Sequence, residues 1–118
     1  VEAALTANPD IDGIMTLGPT GADPTLEALS ETGQLGNIAL ATFDLSETVL
    51  KASVAGEMLF AIDQQQFLQG YLPVVMLTLY NQFGGLIPGG GGVVLTGPGF
   101  VTADNAAAVI DLSGQGIR

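Results

Sequence analysis

The stretch Ile38-Ala39-Leu40-Ala41-Thr42-Phe43-Asp44-Leu45-Ser46-Glu47 decides how the chain folds. A short apolar run stops at a carboxylate, and a hydroxyl residue followed by an acid opens a segment of helical character. This reads as strand, turn and helix. The Ser46 oxygen can cap the helix, and Glu47 in its first turn suits the positive end of the helix dipole. The helix is expected to run to about Val54, before Gly56.

The same pattern flanks this unit on both sides. Upstream, a strand over Ile11 to Leu17 leads through Gly18-Pro19 into a helix that Thr20 or Asp23 can cap, with Pro24 in its first turn and its end near Gly33. Downstream, a strand over Met58 to Ile62 leads into a longer helix from about Gln66 to Phe83, with a local irregularity at Pro73. Val1 to Ala7 reads as the last turns of a helix closed by Asn8-Pro9-Asp10. Val93 to Thr96 is the last strand candidate, and the alanine-rich run after Asp104 reads as a final helix capped by Asp104 or Thr102 and stopped by Gly114. Alternating βα units predict an α/β fold with a parallel sheet.

In such a sheet, ligands gather in the crevice at the carboxyl ends of the strands, where Thr20, Phe43, Asp44, Asp63 and Gln64 fall. A carboxylate accepts two hydrogen-bond donors and an amide both gives and accepts, so these side chains suggest recognition of a small polar molecule. Asp44 on its own could equally cap the helix that follows it, and Gln65 and Gln66 read as surface or hinge residues. Asp63 is better suited to structural hydrogen bonding.

Composition narrows the classes of function. The chain has 118 residues, 47% of them hydrophobic, which suits one small core. Its two basic residues, Lys51 and Arg118, face twelve acidic ones for a net charge of −10, which argues against nucleic acid and against an anionic membrane surface. With no Cys and no His, the common zinc constellations are excluded, and no cofactor is implied. Asp10, Asp12 and Asp23 lack the spacing of an EF-hand. The glycine run Gly89 to Gly92 has no Gly-Lys-Ser or Gly-Lys-Thr after it and reads as a flexible surface loop rather than a phosphate cradle. Asp44 and Asp63 are the one carboxylate pair suited to hydrolysis, and no His, Cys or Lys supports a nucleophile, so an enzyme is disfavoured. The apolar stretch Phe67 to Tyr80 is too short for a bilayer.

The order Ile11-Asp12-Gly13-Ile14, Thr42-Phe43-Asp44, Ile62-Asp63-Gln64-Gln65-Gln66-Phe67-Leu68-Gln69-Gly70-Tyr71-Leu72 and Leu95-Thr96-Gly97-Pro98 resembles the C-terminal part of sugar-binding proteins of bacterial ABC importers. Within these, the ribose-binding-like group of type 1 periplasmic binding proteins is the nearest likeness. The resemblance implies a partial Rossmann-like lobe of a two-lobe protein that closes on its ligand about three hinge crossings. Residues 1–65 would be βα units of the C-terminal lobe, residues 66–92 a hinge-crossing helix and loop that pack with the N-terminal lobe, and residues 93–118 a return strand and last helix.

The resemblance also implies that Asp44 accepts sugar hydroxyls beside the stacking wall of Phe43, and that Gln64 bonds a hydroxyl near the hinge. Where many relatives carry Asn-Asp, this sequence has Gly18-Pro19, leaving Thr16 or Thr20 to substitute in part. The partners so implied are a sugar or polyol, a membrane permease, and the missing N-terminal lobe or a self-associated copy covering Phe67, Leu72, Val75, Leu79 and Phe83. The location so implied is the periplasm of a bacterium. A sugar-responsive transcriptional regulator shares this fold and is the alternative reading.

Overall fold

The computed structural model describes residues 1–86 and 92–118. In chain order the elements are α1 (Glu2–Ala7), β1 (Gly13–Thr16), α2 (Pro19–Glu31), β2 (Ala39–Phe43), α3 (Glu47–Ala55), β3 (Phe60–Asp63), α4 (Gln66–Gln82), β4 (Gly99–Val101), a 3-10 turn (Ala106–Val109) and α5 (Ile110–Gly114). The four strands form one sheet in the order β1-β2-β3-β4. The first three run parallel, with Thr16 beside Thr42 and Phe43 beside Ile62, so their carboxyl ends share one edge.

The α3 unit folds as its sequence predicts. The Ser46 side chain accepts a hydrogen bond from the Val49 N–H at 3.1 Å, and Gly56 closes the helix in the left-handed conformation at φ 77°. Along α3, Val49, Leu50, Ala52 and Ser53 are buried, and they meet Leu26 and Leu29 of α2, Leu40 of β2, Ala61 of β3 and Val101 of β4 in one apolar core. Ala22, Ile38, Met58, Ala106 and Val109 complete it.

Three expectations need correction. Helix α2 starts at Pro19 with Gly18 as its N-cap, so Thr20 and Asp23 lie inside it and cap nothing, and Pro24 sits in its interior. Both Pro19 and Pro24 satisfy the first-turn preference, and the earlier one wins because the chain leaves β1 directly into the helix. The last strand is β4 at Gly99–Val101, antiparallel to β3, rather than Val93 to Thr96. Those four residues form no strand, and Val93 and Leu95 are more than four-fifths exposed. The final helix has Asn105 rather than Thr102 or Asp104 before its first turn, because Asn105 Oδ1 accepts from the Thr102 N–H and the backbone then tightens into a 3-10 turn. The loop expected at Gly89 to Gly92 falls, except for Gly92, outside the described residues.

Helix α4 runs unbroken through Pro73 and buries none of its residues. Phe67, Tyr71, Val74, Leu77, Tyr80 and Phe83 are each at least 45% exposed, an apolar surface far larger than singly scattered hydrophobes produce. No described helix is long and apolar enough to cross a membrane.

Candidate functional site

The shared strand edge brings two of the residues singled out from sequence, Phe43 and Gln64, into one cavity wall. Phe43 and Gln64, from the ends of β2 and β3, line one cavity of about 420 Å³ with Ile62, Gln69 and residues 94–98. The Gln64 carbonyl holds this arrangement by accepting from Gln69 Nε2 at 2.9 Å and from Thr96 Oγ1 at 3.2 Å. Gln69 and Thr96 were not picked out as site residues. Gln69 belongs to the Gln-rich run that opens α4, but Thr96 reaches Gln64 only through a long-range return of the chain.

Asp44 follows Phe43 at a point where the backbone turns left-handed, with φ 60°. A non-glycine residue there costs about 1 kcal/mol or more unless its surroundings fix it. The Asp44 N–H donates to the Ile62 carbonyl at 2.8 Å, which ties this turn to the end of β3. Asp44 Oδ1 is buried and has no hydrogen-bond partner among the described residues. A buried polar atom without a partner costs roughly 1–3 kcal/mol, and Asp44 is not among the residues that line the cavity with Phe43 and Gln64.

The two threonines sit differently. Thr16 ends β1 and its hydroxyl donates to Thr42 Oγ1 at 2.6 Å, so its proton is committed within the sheet and only its acceptor capacity remains. Thr20 is exposed in the first turn of α2, and neither threonine lines the cavity next to Phe43 and Gln64. Asp63 has a structural place: it is fully buried, its Oδ1 accepts from the Gln65 N–H at 2.8 Å and its Oδ2 from Arg118 Nε at 2.6 Å.

A second, apolar groove of about 490 Å³ adjoins the first and shares Gln69, Val94 and Thr96 with it. Leu68, Leu72, Pro73, Met76, Leu77 and Tyr80 of α4 form its wall. No group of three or more acidic residues is arranged to hold a metal ion among the described residues. The edge therefore presents acceptors, an amide and an aromatic face, which is chemistry for binding a neutral, hydroxyl-rich molecule.

Comparison with known proteins places the chain by sequence and by fold. The sequence model of the periplasmic binding protein domain matches residues 1–84. A xylose/arabinose-binding protein, XylF of Sulfolobus acidocaldarius, is 31% identical over an alignment of 85 residues that covers 68% of this chain and 21% of that protein. The crystal structure of a carbohydrate transporter from Acidothermus cellulolyticus 11B, in complex with myo-inositol, superposes with a TM-score of 0.87 at 38% identity over 99% of this chain and 40% of that one. AraP, an arabinose-binding protein from Geobacillus stearothermophilus, shares the fold with a TM-score of 0.76 at 23% identity over 91% of this chain and 38% of its own. The chain thus spans about a fifth of the curated relative and two fifths of these solved structures. With residues 1–84 of its 118 matched by the family's domain, the chain belongs to the periplasmic binding protein family.

Proposed function

We propose that the chain is the ligand-gripping part of a solute-binding protein that captures a sugar or polyol outside the cytoplasmic membrane and passes it to the permease of an ABC importer. The observation that carries this reading is Asp44 Oδ1, a buried acceptor with no partner among the described residues, in the turn that follows Phe43 and is tied by its N–H to the Ile62 carbonyl. Asp44 takes hydroxyl hydrogens, Gln64 gives and takes at the hinge, and Phe43 covers the ring. Thr16 and Thr20 lie at the outer margin, where a larger ligand would reach them.

Residues 1–65 act as the βα units of one lobe, residues 66–92 cross toward a second lobe, and residues 93–118 return. The exposed face of α4 is the surface on which that second lobe rests, and in its absence a second copy of this chain covers it. Support comes from the relatives, which are two to five times longer than the stretch they share with this chain. Such a protein closes around its ligand and releases it unchanged, and it carries out no catalysis. Export to the periplasm goes with this role.

Calorimetric titration of the 118-residue chain with myo-inositol, xylose and arabinose tests the reading when run beside a chimera in which the chain replaces its matched portion of the Acidothermus protein. The expected result is weak or undetectable binding to the isolated chain and at least micromolar binding of one of these by the chimera. Absence of binding by a folded chimera contradicts the reading.

A further inference from the structure

Asp63 is the one carboxylate that is completely buried among the described residues, and it lies where β3 hands the chain to α4. A buried charge is costly unless it is paired and hydrogen-bonded. In a chain with twelve acids and two bases, Lys51 is engaged by Glu47 on the exposed side of α3, at 2.6 Å. The remaining base, Arg118, reaches back past α5 to this single buried carboxylate. Its Nε stands 2.6 Å from Asp63 Oδ2.

The other carboxylate oxygen does local work. Asp63 Oδ1 accepts from the Gln65 N–H, and Gln65 adopts φ 57°, a left-handed conformation with no glycine to ease it. The Gln65 carbonyl then accepts from the N–H groups of Leu68 and Gln69, which starts α4. The returning segment leans on the same turn: a Cβ on Gly97 would lie 2.9 Å from the Asp63 carbonyl, and Thr96 donates to the Gln64 carbonyl.

We infer that Arg118 is a positioning residue: through Asp63 it latches the left-handed turn at Gln65, and so sets where Gln64 stands in the cavity wall and how α4 leaves the sheet. The carboxylate keeps its grip on the Gln65 N–H because Arg118 compensates its charge. When that compensation is removed, burying the carboxylate becomes unfavourable, and the turn opens as Asp63 seeks water. This inference stands on the geometry of the turn and does not depend on which ligand the cavity takes.

Amide hydrogen exchange of the 118-residue chain, read residue by residue by NMR, tests it without any ligand. In Arg118→Gln, exchange at Gln65 should rise about tenfold, the order expected for loss of a charge-assisted hydrogen bond, while exchange at Val49, held by the Ser46 cap in α3, stays at its original rate. Arg118→Lys returns the positive charge and should recover much of the lost protection. The latch is overturned if Gln65 exchange is unchanged in Arg118→Gln. It is also overturned if Val49 rises in step with Gln65, as a general loss of stability requires, or if the Lys variant is as unprotected as the Gln variant.

Discussion

Thr16 donates its hydroxyl proton to Thr42 across the β1–β2 pair, and Thr42, fully buried, passes its own to the Phe43 carbonyl. Two polar side chains in the sheet are thereby satisfied in series, ending at the residue that forms the cavity's aromatic wall. Thr42→Val leaves the Phe43 carbonyl and the Thr16 hydroxyl without these partners and should cost about 1–2 kcal/mol of stability in urea denaturation. Thr16→Val should cost less, since Thr16 is only half-buried and water can reach its place.

The caps of α3 offer a second check. Replacing Ser46 by Ala removes the acceptor for the Val49 N–H and should destabilise the chain by about 1 kcal/mol. Gly56→Ala places a side chain at φ 77°, and a loss of about 1–2 kcal/mol is expected there as well. Because the two sites lie at opposite ends of one helix, the double variant should lose roughly the sum.

Gly97 has a different reason to be glycine. At φ 140° its missing Cβ would sit 2.9 Å from the Asp63 carbonyl, a backbone atom that cannot swing aside. Gly97→Ala should therefore push the return segment off β3 and cost about 1–3 kcal/mol. Faster exchange at the amides of β4 in that variant, with α3 unchanged, is the expected signature.

Acid should act on α3 through Glu47. The Lys51 ammonium beside it, bonded to the carboxylate, holds the Glu47 carboxyl below its ordinary value, outweighing a small opposing effect of desolvation. A carboxyl whose folded value is depressed contributes stability that is complete above its unfolded value and is lost as pH falls through the folded one. Lys51→Ala should therefore be slightly less stable than the parent near neutral pH, and the difference should vanish as acid protonates Glu47 in the folded chain. A difference that persists in acid would mean that Lys51 acts through packing of its stem instead.

Much of the fold is legible in the sequence because its signals are local. Ser46 and Gly56 mark α3 at both ends, and the apolar runs ending at Leu17, Phe43 and Ile62 locate the parallel strands to within a residue or two and the edge where Phe43, Asp44 and Gln64 stand. What escapes is decided at long range. Val93 to Thr96 has strand-forming residues but no neighbouring strand to pair with, whereas the glycine-led Gly99–Val101 lies against β3. Arg118 gives no sign in sequence of its link to Asp63, 55 residues away. The left-handed turns at Asp44 and Gln65 are likewise invisible, since neither residue type announces them as glycine would.

The proposed role of Asp44, an acceptor kept for a ligand at a cost to the free protein, is tested by one paired measurement on Asp44→Asn. Asn tolerates the left-handed backbone and removes the charge from the buried acceptor. The account predicts that denaturation of the isolated chain shows Asp44→Asn to be as stable as the parent, or more stable by up to about 1 kcal/mol, while sugar binding by the two-lobe chimera falls at least tenfold. A variant that loses stability and binds its sugar undiminished would contradict the account, because Asp44 would then be a structural residue of the β2–α3 turn.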